Sequence, residues 1–108
     1  MNFKVKLSKG FIKDIKPLSK RYRSLASDFE KLIDQLETNP TIGTPLGKDC
    51  YKIRLAIKSK NKGKSGGARV ISYVVTDNKE VILLSIFDKS EKADLKPNEL
   101  DQLMEDFE

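Results

Sequence analysis

The chain has no histidine, a single cysteine, and no apolar run that approaches the length of a bilayer crossing. Without histidine the commonest metal ligand is gone, and the carboxylates are scattered without calcium-loop spacing, so no metal and no cofactor are expected. One cysteine, Cys50, cannot form a disulfide within the chain. That excludes the disulfide-built secreted scaffolds and fits a reducing cytoplasm. The opening residues, Met1-Asn2-Phe3-Lys4-Val5-Lys6, alternate apolar and charged side chains and lack the apolar core of a signal peptide. The expectation is a soluble, cytoplasmic protein with one core and one domain, 1–108, from 108 residues of which 38% are hydrophobic.

Acidic residues are missing from one long stretch. Between positions 52 and 69 there are seven Lys/Arg and no Asp/Glu. Residues 1–75 hold 17 Lys/Arg against 6 Asp/Glu, or +11, whereas residues 76–108 hold 4 against 10, or −6. A block of this kind attracts polyphosphate and binds it in a salt-dependent way. The plain alternative is a solvated basic surface. Coincidence of the block with a strand pattern, and with an arginine beside a glycine pair, favours nucleic acid.

Hydrophobic periodicity predicts the order β-α-α-β-β-β-α. Phe3, Val5 and Leu7 alternate with polar residues as a half-buried strand does. Phe11, Ile15 and Leu18 recur at helical spacing, with Ser8 as the N-cap and Pro17 as a kink or restart point. Leu25, Phe29, Leu32, Ile33 and Leu36 form one face of a second helix. Ser27 and Glu30 have capping-box spacing at its start, and Asn39-Pro40 stops it. Residues 40–50 are dense in turn formers and read as a loop. In the next strand Tyr51, Ile53, Leu55 and Ile57 point one way and Lys52, Arg54, Ala56 and Lys58 the other. Lys52 and Arg54 therefore share a face, about 6.6 Å apart along the strand. Residues 59–67 form a long basic connection, carrying Lys60, Lys62 and Lys64. Residues 68–76 and 81–87 are two β-branched strands joined at Asp77-Asn78. Pro97 opens a last helix whose stripe is Leu100, Leu103, Met104 and Phe107, among five acids. The fold class is α+β: a small antiparallel-rich sheet against two N-terminal helices, with a C-terminal helix.

Gly63-Lys64-Ser65 resembles the end of a phosphate-binding P-loop, but the glycine that motif needs five residues earlier is Lys58. Gly43 to Asp49 fails the same comparison. Metal-free RNA cleavage needs a base for the ribose 2′-hydroxyl, cations for the charged phosphorane and an acid for the 5′-oxygen. Clustered cations disfavour each other's charge, so a lysine such as Lys52 beside Arg54 and Arg69 is a candidate base, while arginine is suited to clamping phosphate. Any one of these lysines alone is a surface residue. Tyr51 and Tyr73 read as packing residues rather than base-stacking platforms, and Cys50, with no histidine near it, reads as structural.

Three segments together, Asp49-Cys50-Tyr51-Lys52-Ile53-Arg54-Leu55, Gly66-Gly67-Ala68-Arg69-Val70-Ile71 and Asp88-Lys89-Ser90-Glu91-Lys92, resemble the RelE/ParE superfamily of bacterial toxins. The likeness is greatest to the RelE and HigB type of ribosome-dependent mRNA interferase, and the element order agrees over nearly the whole chain. The resemblance implies a toxin of a type II toxin–antitoxin system, a hydrolase-class endoribonuclease that enters the ribosomal decoding site and cuts messenger RNA without a metal. It implies Lys52 as base, Arg69 as transition-state clamp and Lys89 as general acid. Arg54 stands at a second basic position and Lys92 assists. Lys58, Lys60, Lys62 and Lys64 would contact RNA through the basic connection, which equally reads as a hairpin tip. Where RelE carries a catalytic tyrosine near its C-terminus, Leu95 stands here. Messenger RNA on the ribosome, ribosomal RNA and a cognate antitoxin are the implied partners, with no nucleotide cofactor and no membrane. The acidic last helix would be either a soluble cap or an element an antitoxin displaces. Two other readings stand beside this one: a ParE-like, non-enzymatic inhibitor of DNA gyrase, and an RNA-binding module without chemistry.

Overall fold

The computed structural model describes residues 2–60, 63 and 66–107. Its elements are β1 (Lys4–Leu7), α1 (Lys9–Arg21), α2 (Leu25–Thr38), β2 (Thr44–Gly47), β3 (Cys50–Leu55), a single 3-10 turn (Lys58–Lys60), β4 (Ala68–Val75), β5 (Glu80–Asp88) and α3 (Glu99–Phe107). They form a five-stranded sheet in the order β1-β5-β4-β3-β2. The β1–β5 pair is parallel and the other pairs are antiparallel. This is the expected α+β arrangement with one edge strand added.

Two helices cover one face of the sheet and the third covers part of the other. Phe11 and Leu18 of α1, and Leu25, Phe29, Leu32 and Leu36 of α2, are buried against Ile53, Leu55, Ala68, Val70, Val81, Leu83 and Ile86. On the opposite face Leu100, Leu103 and Met104 of α3 pack on Cys50, Ile71, Ile82, Leu84 and Phe87. The near-continuous apolar run of β5 follows from this, since a strand buried on both faces has no polar side to alternate with.

Helix α1 starts as the sequence implies: the Phe11 N–H donates to Ser8 Oγ at 3.1 Å. It also continues through Pro17 to Arg21 without restarting. Pro17 and Lys13, whose carbonyl loses its bond, are both exposed, so water can satisfy the freed oxygen while Phe11 and Leu18 anchor the helix on either side. At α2 the expected capping box does not form. The helix begins earlier, at Leu25 after Ser24, so Ser27 and Glu30 lie within it. The Ser24 hydroxyl instead donates to Asp28 Oδ2 at 2.7 Å.

Residues 40–50 are not all loop. Thr44–Gly47 form β2, which turns back onto β3 through Lys48 and Asp49, both in the left-handed region with φ of 56° and 62°. Two consecutive positive φ values define the two-residue hairpin turn usually written Asn-Gly. Here Lys-Asp fills it. Gly43 is required just before β2, where φ is +107° and a Cβ would lie 2.5 Å from the Lys52 carbonyl oxygen. The final helix starts at Glu99 rather than Pro97, because Asn98 adopts φ of 69° and breaks the helical path between them.

Candidate active site

The face of the sheet opposite α1 and α2, left open beside α3, gathers the predicted cations. Ala68 and Val70 point into the two-helix core, so Arg69 between them points to the open face. In the β3–β4 register Arg54 lies directly opposite Arg69 and Lys52 opposite Ile71. The close approach that sets this register depends on Gly67, where a Cβ would stand 2.0 Å from the Leu55 carbonyl oxygen. The Gly67 carbonyl in turn accepts the Lys89 N–H at 3.0 Å, which fixes the start of the loop after β5.

Arg69 is buried, 5% exposed, and its Nη1 donates to the Ala68 carbonyl at 3.1 Å. Burial, and then the neighbouring Arg54 cation, press its pKa downward, while Asp94 opposes them. A guanidinium keeps its charge regardless. Its aim is thus set by the sheet, and its plane suits two-point contact with a phosphate.

The sequence reading surrounded Lys52 with cations alone. In the structure its Nζ lies 2.9 Å from Asp94 Oδ2. Asp94 is held below the usual carboxylate range by Lys52 first, then by the Leu95 N–H and the Lys89 charge. Since Arg69 also feels it, one carboxylate sits electrically among three of the predicted site cations. Lys89 Nζ donates to the Ala93 carbonyl at 3.1 Å, closing the loop that carries Asp94.

Other predicted residues are placed apart from this group. Lys92 pairs with Glu99 of α3 and lies 5.1 Å above the Phe87 ring, tying the loop to the last helix. Lys60 turns inward: its side chain is 7% exposed and its Nζ lies 2.7 Å from Asp88 Oδ1. Lys58 is exposed beside Lys31 of α2. Lys62 and Lys64 lie outside the described residues. Among the described residues no group of three or more His, Cys, Asp or Glu is placed to hold a metal.

Asp88 is the anchor beneath the site, and the sequence reading missed that role. Its fully buried carboxylate receives Lys60 Nζ at 2.7 Å, the Tyr22 hydroxyl at 2.5 Å, Ser90 Oγ at 2.7 Å and the Ser90 N–H at 3.0 Å. Burial pushes its pKa up, but those bonds outweigh burial and hold it far below the usual carboxylate range. The Asp88 carbonyl accepts the Glu91 and Lys92 N–H groups, both at 3.0 Å, so the loop with Lys89 and Asp94 grows from a rigid base. Cys50 is inert by the same reasoning: burial and then Asp49 push its thiol up to about 11. The largest cavity described, about 480 Å³, is elsewhere, between the start of α1 and the end of α3.

Residues 13–106 match the profile of the family described as the RelE toxin of the RelE/RelB toxin–antitoxin system. The chain belongs to the RelE toxin family. Solved structures agree with this RelE-family fold. The free E. coli toxin RelE, as a double mutant, superposes with a TM-score of 0.61 at 16% identity, covering 99% of this chain and 95% of that one. The RelBE2 toxin–antitoxin complex of Mycobacterium tuberculosis gives 0.61 at 17% identity, covering 82% and 99%. The intact E. coli RelBE complex gives 0.56 at 24% identity, covering 82% and 96%. This RelE-family chain is a toxin of a toxin–antitoxin system. No helix among its described residues is long and apolar enough to cross a membrane.

Proposed function

We propose that this RelE-family toxin, acting as one domain over residues 1–108, is a metal-independent endoribonuclease that cleaves messenger RNA on the ribosome. The observation that carries the reading is the convergence of Lys52, Arg54, Arg69 and Lys89 at one open face, three of them coupled to the Asp94 carboxylate. A scissile phosphate would replace that carboxylate as the counter-ion. Arg69, with Arg54 opposite, clamps its non-bridging oxygens and stabilises the charge that builds on phosphorus. Lys52, released from Asp94 and having given up its own proton to solvent, takes the proton of the 2′-hydroxyl on its free amine as that oxygen attacks phosphorus. Lys89 gives a proton to the departing 5′-oxygen. One P–O bond forms and one breaks, leaving a 2′,3′-cyclic phosphate and a 5′-hydroxyl. Lys92 orients the loop by its hold on Glu99. Leu95 supplies no proton-transfer group, so the acid–base work falls to the lysines.

The partner pattern follows from the family and the charge. The related complexes are toxin–antitoxin pairs, and a cognate antitoxin bearing acidic or strand-forming segments would fit the basic face beside α3. The site of action is the cytoplasm, where messenger and ribosome meet.

Primer extension on a messenger incubated with purified protein, with and without 70S ribosomes, tests the reading. Ribosome-dependent cuts are expected from wild type, with a loss of about 10²- to 10³-fold in Arg69→Ala. Absence of cuts from folded wild type refutes it, and gyrase-linked DNA breaks in that case would favour inhibition of gyrase instead.

A further inference from the structure

The cleft between α2 and the end of β3 is a second cationic feature, unused by the cleavage chemistry. Its volume is about 190 Å³, with Lys31, Gln35, Arg54 and Lys58 on its walls over Leu32 and Ile53. The Lys58 ammonium contacts Lys31 and holds it below the ordinary lysine range. Two exposed ammonium groups set side by side repel, and an anion shared between them removes that cost. Asp28, which also lines the cleft, pulls Lys31 the other way but is engaged elsewhere. It is 4% exposed, and its Oδ2 accepts the Ser24 hydroxyl at 2.7 Å and the Lys58 N–H at 3.0 Å.

Those same bonds make the lysine pair preorganised. The Lys58 N–H is fixed to Asp28 and the Ser59 N–H donates to Ser24 Oγ at 2.9 Å, so the turn that presents Lys58 is fastened to α2, which presents Lys31. Lys60, two residues on, is drawn the other way to Asp88. Arg54 belongs both to the cleft and to the open face, where it lies opposite Arg69. Strand β2 covers β3 only as far as Lys52, which pairs with Thr44. Among the described residues no strand pairs with that edge of β3 at Arg54, and a polyanion can pass over it from one face of the sheet to the other.

We propose that the Lys31–Lys58 cleft is a phosphate subsite for an RNA backbone that continues over Arg54 to the Arg69 face. It rests on the reading of that face as an RNA-cleaving site. The phosphate belongs either to the messenger strand or to ribosomal RNA, and the two sources separate experimentally.

The test measures binding of full-length protein to a single-stranded RNA dodecamer and to vacant 70S ribosomes over a range of salt. Wild type is compared with Lys31→Gln, Lys58→Gln, the double variant and the charge-keeping Lys31→Arg, with thermal unfolding as the fold control. Each Gln variant should bind about 10-fold more weakly at low salt, and the slope of log K against log salt should fall by about 0.7, the value for one phosphate of a single strand. Because one phosphate is shared, the double variant should lose little more than either single, and Lys31→Arg should bind as wild type. Loss on the dodecamer assigns the subsite to the messenger; loss on ribosomes alone assigns it to ribosomal RNA. Unchanged binding to both, or losses that multiply as for two independent charges, overturns the proposal. Primer extension with wild type runs alongside: if it shows no cutting, the cleavage reading fails while the binding arms still decide the cleft.

Discussion

Replacing Asp88 by alanine should unfold this protein at a markedly lower temperature, and the size of the effect can be worked from its partners. The substitution leaves Lys60, with its side chain only 7% exposed, without its counter-ion and near the Arg21 guanidinium that shares that carboxylate, and removes the acceptor of Tyr22 and Ser90. Removing one member of a buried pair costs about 3–5 kcal/mol. Lys60 is close enough to the surface to turn partly outward, which places the expected loss near the lower end, about 3 kcal/mol. For a domain of this size that lowers Tm by roughly 12–20 °C. Urea unfolding at pH 7 measures the difference. The pH dependence supplies an independent check. The carboxyl is depressed in the folded state, so its contribution is complete above the unfolded value of about 4 and is lost as pH falls from there toward the folded value. Wild type should therefore lose its advantage over Asp88→Ala on acidification below about pH 4. A loss under about 1 kcal/mol at pH 7, or parallel pH profiles for the two proteins, would refute the assignment of Asp88 as the anchor.

Asp94→Asn removes the counter-ion of Lys52, so binding of a short RNA should tighten by about 2- to 5-fold at low salt and the gain should vanish near 1 M salt, as read by fluorescence anisotropy. Gly67→Ala forces a Cβ to within 2.0 Å of the Leu55 carbonyl oxygen. Strand separation there should cost about 3 kcal/mol and weaken cutting beyond what the lost stability explains, measured by paired denaturation and primer extension. Cys50 should react slowly with thiol reagents in the folded state, since a thiol at about 11 is only about one thousandth ionised at pH 8. Reaction as fast as in denaturant would contradict its burial.

Helix and strand identity was legible wherever one face of an element meets a single environment. Ser8 capped α1 as read, and Asn39 ended α2, because those signals act through local backbone groups. The β3 alternation placed Lys52 and Arg54 correctly on the face away from Ile53 and Leu55. Strand β2 was hidden because its turn uses Lys48 and Asp49 in a conformation that sequence patterns associate with Asn and Gly. Ser27 and Glu30 had capping-box spacing, but the bond from Ser24 to Asp28 and the contact with residue 59 set the start of α2 from outside the helix. At the site, like charges in sequence suggested a purely cationic cluster. Asp94, 42 residues from Lys52, reaches it only through the fold. Lys60 and Lys58, adjacent in pattern, part company because Asp88 and Asp28 attach to the turn from opposite sides.

The strand order has a consequence for the birth of the protein. Strand β1, at residues Lys4–Leu7, is made long before its partner β5, which spans Glu80–Asp88. β5 also lies between β1 and β4, so β1 joins the sheet only after β2, β3 and β4 have been made. Until β5 has been made, α1 and α2 lack part of the surface they rest on, and β1 has no strand to pair with. Arg69 cannot be flanked on both sides until β5 has left the ribosome, nor Asp94 brought to Lys52 until the loop after β5 has followed. The β3–β4–β5 ladder can form between chain neighbours, while β1 and α1 wait for a distant partner. A nascent chain that has exposed only β3 and β4 carries Lys52, Arg54 and Arg69 but not the carboxylate that pairs with Lys52.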